Sequence, residues 1–143
     1  MARTIDIADA VVTALNGHSF SQEFTAVRAY RPTFDLKDMT HLHVTVVPKA
    51  VELSTAGRGL AQSDVQIDVG VQKKLSAVDE DTTEIDALMD LVQEIADFVR
   101  ATGRFGEAAW VRTENAPVYS QEHLAELRQF TSVLTLTLRV MTA

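Results

Sequence analysis

The stretch Arg128–Ala143, RQFTSVLTLTLRVMTA, alternates along its whole length. Phe130, Ser132, Leu134, Leu136, Leu138 and Val140 fall on one side, and Thr131, Val133, Thr135, Thr137, Arg139 and Met141 on the other. Successive side chains of a strand point to opposite faces, so this period of two predicts a strand with one side turned to a core. The second side is too weakly charged for an ordinary solvent face and too polar for a second core. Alternate threonines suit a strand surface that another polar surface approaches.

Working back from that strand, SQEHLAELRQ reads as a short helix capped by Ser120, with Leu124 and Leu127 facing inward, and AWVRTE reads as a strand. The strongest helix lies in VDEDTTEIDALMDLVQEIADFVRATG. Ile85, Leu88, Met89, Val92, Ile95, Ala96 and Val99 form its apolar stripe, Thr83 and Asp86 its capping box, and Gly103 its stop. The segment DVQIDVGVQ sets Val65, Ile67, Val69 and Val71 against Asp64, Gln66, Asp68, Gly70 and Gln72, a strand with a polar outer side. HLHVTVVP is a strand that Pro48 is expected to close, AVELST a further short strand, and Gly57-Arg58-Gly59 a mobile turn. TAVRAYR before Pro32 is an early strand, and IDIADAVVTALN at residues 5–16, stopped by Gly17, an opening helix.

This order predicts an α+β fold: a mostly antiparallel sheet with two long helices packed on one face and a short helix before the C-terminal strand. At 143 residues the chain is expected to form a single domain over residues 1–143, since a body of this size buries roughly 68–70% of its unfolded surface. No repeat or interdomain linker breaks it.

Composition narrows the chemistry. The absence of cysteine excludes disulfides, thiolate nucleophiles and cysteine-based zinc sites. The opening MARTIDIADAVV lacks the pattern of a signal peptide, and no apolar run reaches membrane-spanning length, so a soluble cytoplasmic protein without membrane contact is expected. Thirteen Lys plus Arg against 20 Asp plus Glu give a net charge of −7, which opposes gripping a polyphosphate.

Candidate sites fare poorly. His41 and His43 share a strand face, a spacing some metal sites use, but only Asp38 stands near them as a further ligand. Asp79, Glu80 and Asp81 do not begin a calcium loop, because Glu84 occupies the place where glycine is required. Negative charge at the start of a helix explains that run. Ser19, Ser21 and Ser120 lack a G-x-S-x-G context, Asp64 and Asp68 read as solvated surface carboxylates, and the loop at Arg58 lacks a phosphate-cradling sequence. Trp110 and Phe105 read as core or rim. No enzyme is expected.

Taken together, IDIADAVVTALNG, VQIDVGVQKKL followed by TEIDALMDLVQEIADFVR, and WVRTENAPVYSQEHLAELRQFTSVLTLTLRV resemble the tail terminator (tail completion, or minor tail) proteins of long-tailed bacteriophages and related prophages. The ordering covers nearly the whole chain. The resemblance implies a structural virion protein of the tail, assembled in the bacterial host cytoplasm. Such subunits form a homohexameric ring that caps the tail tube, ends its polymerisation and joins the tail to the head connector or stopper protein. No cofactor, metal or reaction is implied; the partners are other copies of the chain, the tail tube protein and the connector.

DNA would pass through the lumen without specific binding. With a Debye length of about 8 Å, a neutral or acidic wall keeps phosphates from adhering where a basic one would hold them. On this reading Thr131, Thr135 and Thr137 meet a neighbouring subunit or line the channel, while Arg58, Arg28, Arg31 and Lys37 meet the tube protein or connector. The alternative is a small-ligand or metal-binding α+β module using His41 and His43. A hydrolase built on exposed carboxylates ranks last.

Overall fold

The computed structural model describes residues 4–30, 41–75 and 83–142. Its elements are α1 (Thr4–Asn16), β1 (Ala26–Arg28), β2 (His43–Gly57), β3 (Leu60–Lys74), α2 (Thr83–Thr102), β4 (Arg104–Phe105), β5 (Ala108–Glu114), α3 (Gln121–Leu127) and β6 (Gln129–Thr142). The strands make one sheet in the order β1-β2-β3-β6-β5-β4. β6, the strand with the clearest alternation, pairs along its full length with β3, each residue of Ala61–Lys74 facing one of Gln129–Thr142.

The architecture is the expected α+β arrangement, with a mixed sheet. β1 runs parallel to β2, and every other neighbouring pair is antiparallel. A parallel pair needs a crossover of a dozen residues or more. The connection over residues 29–42 provides that length.

The core lies on one face. Ile7, Val11 and Leu15 of α1 and Leu88, Leu91, Val92, Ile95 and Val99 of α2 bury against Val44 and Val46, against Val65, Ile67, Val69 and Val71, and against Leu134, Leu136, Leu138 and Val140. Each such side chain stabilises the fold by roughly 1.5–3 kcal/mol relative to exposure. α1 touches β1 and β2 and also β4, although those strands stand at opposite ends of the order. The sheet therefore curls around its helices.

Local signals behave as their chemistry dictates. Ser120 caps α3 by accepting from the His123 N–H at 3.2 Å. Gly103 ends α2 with φ +71°, its N–H donating to the Val99 carbonyl at 3.1 Å, a left-handed conformation that suits glycine. Glu84 and Asp86 occupy the first turn of α2; the acidic run 79–81 lies outside the described residues.

One reading needs correction. Pro48 does not close its strand: residues 43–48 and 50–55 belong to one β2, whose pairing with β3 shifts between Pro48 and Ala50. A bulge at the sheet's edge tolerates the missing N–H of proline. The Gly57-Arg58-Gly59 stretch is the tip of a β2–β3 hairpin, with Gly57 opposite Leu60 and Gly59 at φ +74°. β4, only two residues long, has too short a period to announce itself.

Asn16 shows how a side chain can substitute for a strand. Its Nδ2 donates to the Ala26 carbonyl at 3.0 Å, and its Oδ1 accepts from the Ala26 N–H at 2.7 Å, satisfying both backbone groups of a buried residue on edge strand β1. Asn16→Ala should destabilise the protein by about 1–3 kcal/mol, because both groups lose their partner. Asn16→Asp should recover only the N–H contact, a ranking that denaturant unfolding of the two variants checks.

Candidate interaction surface

The face of the sheet opposite the helices is a polar layer joined across strands. Asp64, on β3, accepts from Arg139 of β6 at two points, Nε to Oδ1 at 2.8 Å and Nη2 to Oδ2 at 3.1 Å. Thr135 Oγ1 donates to Asp68 Oδ1 at 2.7 Å, and Lys49 Nζ lies 3.9 Å from the same oxygen. Gln129 Nε2 donates to Thr131 Oγ1 at 2.9 Å, which also lies 2.9 Å from His123 Nδ1, so α3 roofs that end of the sheet.

This layer corrects the expectation of three open threonines. Thr137 is only 2% exposed and Thr131 is buried, leaving Thr135 partly accessible. Thr45 and Gln72 are buried on the same face, and Thr45 Oγ1 and Gln72 Oε1 have no hydrogen-bond partner among the described residues. Toward the far end, Ala50, Glu52, Asp64, Gln66, Arg112 and Thr137 line a groove of about 310 Å³.

The Arg139 guanidinium holds the Asp64 carboxyl below the usual carboxylate range, against a smaller opposing push from burial. A carboxyl whose folded pKa is depressed adds stability that is present above its unfolded pKa and lost as pH falls through the folded one. Wild type should therefore lose stability on acidification below about pH 4, the unfolded carboxylate range, more steeply than Asp64→Asn. Melting temperatures taken across pH 2–6 check the difference; parallel curves would show that the pair contributes nothing.

Of the basic candidates, Arg28 and Arg58 fall among the described residues. Arg28 is held within the subunit, its Nε 2.7 Å from Asp9 Oδ1 and its Nη1 donating to the Tyr30 hydroxyl at 3.0 Å. The contact ties β1 to α1. Arg58 is exposed at the hairpin tip. Arg31 and Lys37 lie outside the described residues, as do Pro32 and Asp38.

The chemical candidates have structural work. Ser21 donates from its N–H to Glu94 Oε1 at 3.0 Å and from its hydroxyl to Glu94 Oε2. His41 is exposed, whereas His43 is partly buried opposite Gln72. Trp110 packs at the edge of the core and donates to Thr113 Oγ1 at 2.8 Å; Phe105 is buried. Among the described residues no group of three or more His, Asp or Glu is placed to hold a metal ion. No described helix is long and apolar enough to cross a membrane.

The feature that sequence reasoning missed is the far half of the β2–β3 hairpin. Past the bulge, Val51 stands opposite Val65 and Leu53 opposite Ser63, on the same side as the buried Val65, Leu138 and Val140. The helices do not cover this part, leaving Val51 47% and Leu53 71% exposed, while Leu60, at the hairpin tip on the opposite side of the ribbon, is 44% exposed. Apolar residues at Val51 and Leu53 in AVELST were the available signal, hidden because a short apolar alternation ordinarily marks a core strand.

The hairpin also has an open backbone edge. β1 pairs only with Val44–Val46, so among the described residues no strand flanks β2 from Val47 to Gly57. At the sheet's other end β4 covers Ala108 and Ala109 alone, leaving Val111–Glu114 of β5 without an outer neighbour among the described residues. Unpaired edges invite strand addition, and proteins usually shield them. No protein-family model matches the chain, and no curated protein matches it.

Proposed function

We propose that this chain is a structural subunit of a long-tailed phage, assembling into a homohexameric ring that caps the tail tube, ends its polymerisation and joins it to the head connector. The observation that carries the reading is the hairpin arm: Val51 and Leu53 project from one side of a paired ribbon beyond the helices, with Leu60 on the other side and, beside them, an edge that no described strand flanks. Exposed apolar residues grouped on one projecting element mark a protein-contact surface. The order of elements supports the reading further, since α1, the β3–α2 unit and the β5–α3–β6 end supply the parts on which the resemblance rests. The net charge of −7 accords with a channel that lets DNA through without holding it.

The direct functional test is addition of the purified chain to a polymerising tail tube protein from the same virus. Capping predicts that tubes stop growing and that each carries the chain at one end in electron micrographs. Tubes of unchanged length with no bound chain would contradict the proposal.

A further inference from the structure

We propose that the open edge of the β2 arm in one subunit pairs antiparallel with the open edge of β5 in a second copy of this chain. The inference rests on the ring reading and names the junction that would build the ring. Direction is compatible: β2, β3, β6 and β5 alternate, so a neighbour's β5 placed beside β2 continues the antiparallel order. Two different edges meet, which makes the contact heterologous, the kind that closes a ring when its rotation permits.

Charge selects the occupant and the register. Set Glu52 of one copy opposite Arg112 of the next, and Ala50 then faces Glu114, with Lys49 beside it. Opposite charges meet on one face of the junction, and cross-strand pairs of opposite charge favour their register. On the other face Leu53 meets Val111 and Val51 meets Thr113, so the exposed apolar side chains of the arm gain cover. Within one subunit Arg112 and Glu114 form only an exposed ion pair, Nε to Oε1 at 3.4 Å, which exchange between copies can replace. Slipping the register by one residue would place Glu52 on the opposite face from Arg112 and lose this match.

The absence of cysteine permits a clean test in the full-length chain. Ala50→Cys and Glu114→Cys, both at exposed positions, should together give a ladder of disulfide-linked multimers on mild oxidation of the concentrated protein. The two single variants should give linked dimers when mixed and far less when oxidised alone. Glu52→Arg and Arg112→Glu should each weaken self-association about tenfold, and the double variant should recover it. A chain that forms rings by light scattering yet yields no ladder, and no rescue, would overturn this junction while leaving the ring intact. A chain that stays monomeric and unlinked at every concentration would overturn the junction and the ring together.

Discussion

Leu136→Ala should destabilise the subunit by about 2–5 kcal/mol, the cost of deleting a buried leucine side chain from a packed core. Leu136 is fully buried near the middle of β6, between Ile67 of β3 and Thr113 of β5, beneath the helices. Leu53→Ala, also a leucine on a strand and on the same side of the sheet, should cost less than about 0.5 kcal/mol, because the side chain is 71% exposed. Urea unfolding of the two variants measures the contrast. Similar losses would mean that the arm packs within its own subunit rather than standing free.

The complementary prediction concerns assembly. Val51→Asp combined with Leu53→Asp should leave the unfolding midpoint nearly unchanged and lower the self-association constant by about two decades or more. Covering the exposed parts of these two side chains, 47% and 71% of their surface, contributes about 2–3 kcal/mol at each junction, and every 1.4 kcal/mol is tenfold in affinity. Burying carboxylates in their place adds a desolvation cost. Sedimentation of wild type and double variant across a concentration series, with a parallel thermal melt, separates the two effects. Unaltered association would show that the arm lies outside the subunit contacts.

The contrast between Leu136 and Leu53 also explains what could be read from the sequence. The alternation in β6 and β3, the stripe of α2, the cap at Ser120 and the stop at Gly103 are local patterns set by strand or helix period and by backbone chemistry, and each was legible. The parallel pairing of β1 depends on a crossover, which no local pattern encodes. Pro48 was misread because a missing N–H ends a central strand but is tolerated at an edge bulge, and which strand is an edge is a property of the whole sheet.

The candidate site was less legible for the same reason. Thr131 and Thr137 were correctly placed on the polar side of β6, yet α3 and the cross-strand polar layer take up that side, so face and exposure proved to be different properties. Arg28 looked like a free surface cation until the fold brought Asp9 within 2.7 Å. Conversely, Val51 and Leu53 look like core residues by pattern and are exposed because the hairpin outruns its helices.

Native mass spectrometry of the concentrated protein, alone and with tail tube protein added, asks whether the subunit builds a closed ring. A dominant species at six times the 15.7 kDa subunit mass is expected. Only monomer under both conditions would contradict it.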